Sequence, residues 1–261
     1  DTMNVLRTLE DLNLFVSKIK QTGKTIGFVP TMGFLHSGHI SLIHLSRKKT
    51  EVTIASIYVN PSQFNDSNDF EKYPKNEKND LALLEQNSCD AVFIPTRLEI
   101  ESLKKVSVDL GDLDNVMEGR FRPGHFKGVV EVVYRLFSVV KPDKAFFGEK
   151  DFQQLLVIQK MVSDTKLPID ILGAPVVRES NGLAMSSRNS RLSFEAREKA
   201  GFIFEILNSF GQVKRSVLEN RLQGYGFELE YLETHCFGNQ NRLFIAGVYD
   251  GVRLIDNIKI K

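Results

Sequence analysis

Short apolar runs alternate, over the first two thirds of the chain, with longer segments whose apolar residues recur every three or four positions. The first pattern predicts strands buried on both faces of a parallel sheet, and the second predicts amphipathic helices. One predicted strand begins near Gly27, and the others cover residues 52–59, 91–94, 144–147 and 169–172. The predicted helices cover residues 4–20, 74–86, 126–140 and 149–163. This alternation is typical of a doubly wound α/β fold, whose ligands bind at the carboxyl ends of the strands.

A different pattern begins at about residue 177. A polar loop precedes a helix that starts near Ser193, and three strand-like segments follow at residues 227–234, 242–248 and 252–258. The Tyr249-Asp250-Gly251 sequence between the last two is typical of a hairpin turn. We therefore expect a Rossmann-like domain over residues 1–176 and a smaller C-terminal α+β domain, with an antiparallel sheet, over residues 177–261.

Charge and cysteine content narrow the class of protein. The 34 basic and 33 acidic residues give a net charge of +1, so no overall field attracts nucleic acid or an anionic membrane. Cys89 and Cys236 lie far apart without a zinc-binding spacing, and no apolar run approaches the roughly 20 residues of a membrane span. The first twenty residues also lack an uninterrupted apolar core of a signal peptide. We expect a cytoplasmic protein without nucleic-acid or membrane partners.

The segment at residues 27–39 carries the strongest candidate chemistry. It contains a predicted strand, a turn with Gly33, and a helix start with Gly38 and two histidines, His36 and His39, three residues apart. A helix N-terminus offers unpaired N–H groups to an anion, and glycines allow a ligand to approach the backbone. This pattern predicts a phosphate site. A metal site or two surface histidines are the alternatives that the segment alone leaves open.

Four other segments hold polar side chains near strand or loop ends. Lys150 and Gln154 share one face of a predicted first helical turn, where a cation opposes the helix dipole and so favours a functional role. The loop at residues 182–189 places two serines beside an arginine, which is typical of a phosphate cradle or of plain surface. The sequence of residues 118–126 is typical of either a mobile lid or a solvated basic loop. Asn60 and Gln63 follow a predicted strand, a position where side-chain amides either orient a ligand or form a turn.

Five motifs occur in a fixed order along the chain: Pro-Thr-Met-Gly-x-Leu-His-x-Gly-His, Asn-Pro-x-Gln-Phe, Arg-Pro-x-His-Phe, Phe-Phe-Gly-Glu-Lys-Asp-x-Gln-Gln and Gly-Leu-Ala-Met-Ser-Ser-Arg-Asn. In this order they resemble the pantothenate synthetase family, ligases of the nucleotidylyltransferase superfamily that join pantoate to β-alanine at the expense of ATP. The resemblance runs from about Gly27 to Arg191 and resumes at residues 253–258.

The resemblance implies a role for each matching residue. It implies catalytic roles for His39, His36, Lys150 and Arg188, with His39 as the acid. The implied ATP-binding residues are Met32, Gly33, His36, Gly38, His39, Gly148, Lys150, Asp151, Val177, Met185, Ser186, Ser187 and Arg188. The implied pantoate- and β-alanine-binding residues are Thr31, Met32, Asn60, Gln63, Glu118, Arg122 and Gln154. It further implies Mg²⁺ held in part by Asp80, a homodimer, a first domain that binds ATP and pantoate, and a second domain that covers the active site.

The sequence departs from the family pattern at three places. Ser37 stands where relatives often have an acidic residue, and Asn79-Asp80 stands for an acidic pair, so that only Asp80 is carried over as a metal ligand. Residues 193–226 are shorter than the family leads us to expect. Two other hypotheses remain: a nucleotidyltransferase that stops after transferring AMP or CMP, which leaves Asn60 and Gln63 unexplained, and a nucleotide-binding or RNA-associated module without activity.

Overall fold

Six parallel strands form the larger of two sheets in the computed structural model, which describes residues 2–261. The strands are β1 (Asn4–Leu6), β2 (Ile26–Thr31), β3 (Val52–Ile57), β4 (Ala91–Phe93), β5 (Lys144–Gly148) and β6 (Asp170–Ala174). Their order across the sheet is β1-β4-β3-β2-β5-β6. The chain builds outward from β2 through β3 to β4 and then returns to the other side of β2 with β5. The strand order therefore reverses between β2 and β5, which makes this pair the topological switch point.

Eight helices accompany this sheet in the described part of the chain. They are α1 (Leu9–Gln21), α2 (Ser37–Lys49), α3 (Ser67–Glu71), α4 (Glu77–Gln86), α5 (Arg97–Ser102), α6 (Met117–Phe121), α7 (His125–Val140) and α8 (Phe152–Thr165). Helix α7 has the most apolar face and buries Phe126, Val133 and Phe137. In β2, Phe28 and Val29 are wholly buried although they point to opposite faces. The strand is covered on both faces, which explains why its apolar residues do not alternate with polar ones.

The C-terminal residues form a second, antiparallel sheet with its own helices. The helices are α9 (Phe194–Lys199), α10 (Phe202–Asn208) and α11 (Arg215–Gly224), and the strands are β7 (Glu228–Phe237), β8 (Gln240–Tyr249) and β9 (Val252–Lys259). The strands pair in the order β7-β8-β9. Asp250 and Gly251 both have positive φ angles, 50° and 72°, as a two-residue hairpin turn requires. The expected fold class, a doubly wound parallel sheet with a small antiparallel sheet, is confirmed.

The chain divides into two compact units, each with its own apolar core. The first unit runs from the start of the described residues to Glu149 and includes Gln153–Pro175, whereas the second comprises Lys150–Phe152 and Val176–Lys261. The short segment Lys150–Phe152 thus belongs to the second unit although its chain neighbours on both sides belong to the first. Within residues 2–261, no helix is long and apolar enough to cross a membrane.

Three local expectations are wrong in detail. Residues 4–6 form an edge strand paired with β4 instead of the first turn of a helix, and α1 begins only after the Thr8 cap. Helix α4 begins at Glu77 behind an Asn76 cap, so Pro74 is not in its first turn. Residues 118–126 are not an open loop, because they lie largely in α6 and the start of α7, with Glu118 and His125 buried. The apolar pattern alone does not distinguish a short strand from a helical turn.

Candidate active site

The segment with the two histidines connects β2 to α2 at the switch point of the sheet. Asn60 and Gln63 follow the neighbouring strand β3, and Gly148 ends the neighbouring strand β5. Parallel strands end at the same edge of a sheet, so these candidate residues lie close together. Some of them are more than 100 residues apart in sequence. Open space lies where a side chain on Gly148 would project, since no atom comes within 4 Å of that position.

His36 and His39 form a reciprocal cap at the start of α2. The Gly38 N–H donates to His36 Nδ1 at 3.1 Å, and the His36 N–H donates to His39 Nδ1 at 3.2 Å. The two rings lie 4.1 Å apart between centroids. A ring nitrogen that accepts a hydrogen bond carries no proton, so each neutral imidazole has its proton on Nε2. The backbone thereby selects the tautomer in which Nε2 carries the proton.

Asp80 anchors the turn that precedes these histidines. Its Oδ2 accepts the Phe34 N–H at 2.8 Å and its Oδ1 accepts the Leu35 N–H at 2.7 Å. Gly33 and Phe34 both have positive φ angles, 79° and 50°, so the turn needs support at a residue that is not glycine. The Asp80 side chain is only 1% exposed, and this burial raises the pKa of its carboxyl group. The carboxylate thus fixes the entry of the chain into α2.

Asp80 was predicted as a metal ligand from the family resemblance. Each of its oxygens accepts one backbone N–H, so the contacts within this structure make Asp80 a loop anchor. Its role as a magnesium ligand stays a prediction, because a carboxylate oxygen with one hydrogen bond keeps a lone pair for a metal ion. Magnesium ordinarily retains several waters and binds substrate phosphates, so a nucleotide can bring the ion with few protein ligands.

Asn60 and Gln63 lie on a short helical turn after β3 and are both buried. Asn60 Nδ2 donates to the Gly128 carbonyl oxygen at 3.1 Å and to Gln63 Oε1 at 3.3 Å. A side chain at Gly128 would overlap the Ser62 carbonyl group, so α7 can approach this turn only with glycine there. The amide groups are thus held in place by the backbone of α7.

A chain of polar contacts connects Gln63 with Glu118. His125 Nδ1 lies 2.7 Å from the Gln63 carbonyl oxygen, and since only a protonated nitrogen can donate to it, His125 Nε2 is an acceptor when the ring is neutral. Arg122 Nη1 donates to that Nε2 at 3.3 Å and to Glu118 Oε2 at 3.2 Å. Gln63, Glu118 and Arg122 are therefore brought together in the first unit, with His125 as the residue that connects them.

Two residues of this cluster, His125 and Gln153, make contacts that the sequence did not predict. His125 lies inside the motif Arg-Pro-x-His-Phe, and Gln153 lies beside Gln154 in a second motif. Their positions within these motifs are therefore the sequence signal that marks both residues. Gln153 Oε1 accepts the Glu118 N–H at 3.1 Å, and its Nε2 donates to the carbonyl oxygens of Leu113 and Val116. Gln153 thereby holds α6 in place, whereas Gln154 is half-buried in the first turn of α8.

The remaining candidates belong to the second unit. Lys150 and Asp151 form a single helical turn before α8, with 3.9 Å between Lys150 Nζ and Asp151 Oδ2. Val177 accepts the Met185 N–H at 2.9 Å, which closes a tight hairpin whose outgoing strand leads to the serines. Ser186 then caps the turn Ser187–Arg191, because its Oγ accepts the Arg188 N–H at 3.2 Å.

Comparisons with known sequences point to one family. A family model described as pantoate-beta-alanine ligase matches residues 4–259. The pantothenate synthetase of Christiangramia forsetii is 45% identical over 99% of both chains, and that of Porphyromonas gingivalis is 44% identical over 98% of this chain and 99% of its own.

Two crystal structures give the same result for the fold. Pantothenate synthetase from Thermus thermophilus superposes with a TM-score of 0.90 at 37% identity, covering 98% of this chain and 99% of its own. Pantoate-beta-alanine ligase from Francisella tularensis, complexed with beta-gamma ATP and beta-alanine, has the same TM-score and identity over 98% of this chain and 97% of its own. The chain belongs to the pantoate-beta-alanine ligase family.

Proposed function

We propose that this protein condenses pantoate with β-alanine at the expense of ATP, giving pantothenate, AMP and pyrophosphate. The observation that carries the proposal is the convergence of the histidine cap with Asn60, Gln63 and Gly148 at the ends of β2, β3 and β5. Family membership supplies the substrate class. The ligand set of the Francisella tularensis relative, a nucleotide and β-alanine, supports two of the three substrates.

In the first step, a carboxylate oxygen of pantoate attacks the α-phosphorus of ATP and the bond to the pyrophosphate oxygen breaks, which gives a pantoyl adenylate and pyrophosphate. A carboxylic acid of this kind is ionised at neutral pH, so the attack needs no general base. It needs alignment and neutralisation of the charge that moves onto pyrophosphate. We assign the alignment to Thr31, Met32, Asn60, Gln63 and Gln154, with Glu118 and Arg122 as neighbours of the pantoate pocket.

The nucleotide is assigned to the residues that the family resemblance matches to ATP. The Nε2–H groups of His36 and His39 are proposed to donate to phosphate oxygens, and Lys150 and Arg188 to supply positive charge. The other proposed ATP contacts are Gly33, Gly38, Gly148, Asp151, Val177, Met185, Ser186 and Ser187. Mg²⁺ is proposed to accompany ATP, bound mainly by phosphate oxygens, where it would neutralise part of their charge.

In the second step, the amine of β-alanine attacks the acyl carbon of the pantoyl adenylate. The carbon–oxygen bond to AMP breaks, an amide bond forms, and the amine loses a proton. Keeping water from the adenylate is essential, because water would regenerate pantoate at the cost of one ATP. The buried contacts of Asn60 and Gln63 support this requirement on the pantoate side.

We also propose an oligomeric state, from the family alone, and a cellular location, from thiol chemistry. A homodimer is the family expectation, and light scattering coupled to size-exclusion chromatography tests it. A cytoplasmic location is supported by two cysteines that are both free, Cys89 buried and Cys236 exposed, since thiols persist in reducing compartments. Fractionation of the source cells tests the location.

Product analysis with each substrate omitted in turn tests the activity. AMP and pantothenate are expected only when ATP, pantoate and β-alanine are all present. Pantoate alone is expected to support exchange of labelled pyrophosphate into ATP, because the first step is reversible without the amine. Exchange that requires β-alanine would refute the two-step mechanism, and a stable nucleotidyl product without AMP would point to the nucleotidyltransferase alternative.

A further inference from the structure

The motif at residues 253–258 resembles the family but has no role in the mechanism above. It lies in β9, where Asp256 and Asn257 are 4% and 2% exposed. Two consecutive buried polar residues in a strand are costly unless their side chains are bonded. Their bonding partners are therefore informative, and both lead to segments of the second unit that carry candidate ATP contacts.

Asn257 holds the segment with Lys150. Its Nδ2 donates to the Lys150 carbonyl oxygen at 3.0 Å, and its Oδ1 accepts from Arg242 Nη1 at 2.7 Å. The Arg242 guanidinium also lies 4.0 Å from the centre of the Phe152 ring. Phe152 in turn packs against Phe244 of β8, with 6.2 Å between ring centres. The turn Lys150–Phe152 is thus held by a hydrogen bond at Lys150 and by ring packing at Phe152.

Asp256 holds the hairpin that leads to the serines. Its two carboxylate oxygens accept from Arg178 Nη1 at 2.6 Å and from Arg178 Nη2 at 3.0 Å. Arg178 Nη1 also donates to the Gly182 carbonyl oxygen at 3.0 Å. Arg178 pairs with Ala184 across the hairpin, immediately before Met185. A two-point ion pair of this kind fixes orientation as well as distance.

The two anchors are coupled. The Asn257 N–H donates to Asp256 Oδ1 at 2.7 Å, so the oxygen that accepts from Arg178 also accepts from the backbone of the neighbouring anchor. One strand therefore fixes the spacing between the Lys150 turn and the hairpin before Ser186.

We propose that Asp256 and Asn257 are positioning residues that hold Lys150 and the segment from Ser186 to Arg188 in register for the ATP phosphates. This inference rests on the proposed function, which gives those segments their substrate. The side chains of Asp256 and Asn257 act through Arg178 and through the backbone of Lys150. They set geometry that matters most in the transition state, when charge moves onto the phosphates.

The test compares two nearly isosteric substitutions with a control in pantoate-dependent pyrophosphate exchange. Asn257→Asp keeps an acceptor for Arg242 but loses the donor to Lys150, and Asp256→Asn removes the charge that orients Arg178. Arg253→Gln is the matched control, because it breaks an ion pair with Glu230 in the same sheet, 2.7 Å between Arg253 Nη2 and Glu230 Oε2. The midpoint of thermal unfolding is measured for each variant.

Each of the two substitutions is expected to lower kcat by about tenfold or more, with KM for pantoate within about twofold of the starting protein. The control is expected to keep kcat within about twofold. A change in kcat no larger than that of the control, or a rise in KM for pantoate that matches the fall in kcat, would overturn the inference. Failure of both variants to fold would assign the pair to the stability of the sheet and would also overturn it. Absence of exchange in the unmodified protein refutes the proposed function instead.

Discussion

Replacing Asp80 by asparagine tests whether the turn before the histidines depends on a buried carboxylate. The carboxylate accepts two backbone N–H groups, from Phe34 and Leu35, at 2.8 and 2.7 Å. An asparagine offers only one oxygen, so its amide group must face the second N–H donor. The loss is one hydrogen bond to a charged group, worth about 1.5–3 kcal/mol. Part of this loss in free energy is offset because the substitution also removes a buried charge. Burial disfavours that charge, as the raised pKa of Asp80 indicates.

We therefore expect the free energy of unfolding to fall by about 1–2 kcal/mol in Asp80→Asn. The larger effect is expected on activity. Phe34 adopts its positive φ only while the turn is held, and a turn that relaxes moves the His36 cap at the start of α2. Misplacement of a phosphate contact by about 1 Å costs up to about 100-fold in rate, so we expect exchange to fall by about 10- to 100-fold.

Asp143→Asn is the matched control for this prediction. Asp143 Oδ2 accepts the Ile26 N–H at 2.7 Å, at the opposite end of the same strand β2. Urea unfolding followed by circular dichroism gives the stability of both variants, and pantoate-dependent pyrophosphate exchange gives their activity. Both variants are expected to lose stability, and only Asp80→Asn is expected to lose exchange. Exchange within twofold of the unmodified protein in Asp80→Asn, or an equal loss in Asp143→Asn, would refute this prediction.

Three further outcomes are expected. Lys150→Ala should nearly abolish pyrophosphate exchange while leaving the circular dichroism spectrum unchanged, because it removes a cation from the phosphates. Gly128→Ala should lower stability by at least about 2 kcal/mol and raise KM for pantoate, since its methyl group would overlap the Ser62 carbonyl group and displace the turn with Asn60. A thiol reagent at pH 8 should modify Cys236 and not Cys89, because burial raises the pKa of Cys89 to about 12, and only thiolates react.

Each of these has a control within the same chain. Lys160→Ala removes a lysine from the exposed face of α8, where it pairs with Asp164, and should leave exchange unchanged. Gly224→Ala adds a methyl group with no atom within 4 Å and should cost no stability. Denaturation should raise the thiol count from one to two. Exchange retained in Lys150→Ala, unchanged stability in Gly128→Ala, or two reactive thiols in the native protein would contradict the corresponding argument.

The sequence predicts the central strands and the long helices because their signal is local. Residues 52–57 read as a buried strand, and they pair with strands on both sides in the sheet. The error at residues 4–6 has a physical cause, since a three-residue strand carries too short a pattern to be distinguished from a helical turn. What makes these residues a strand is pairing with β4, some 87 residues further along the chain, and no local propensity encodes that partner.

In the candidate site, too, the features that depend on nearby residues were predictable, and those that depend on distant residues were not. By itself, the sequence determined the alternation of strands and helices, the position of the histidines at a helix start, and the family motifs, because each depends on residues close together in the chain. Only the tertiary structure decided that Asp80 anchors the turn at Gly33 and Phe34, that His125 connects Gln63 to Arg122, and that Asn257 bonds to Lys150. These bonds join residues up to 107 positions apart, and burial, which makes an unpaired polar group costly, selects them.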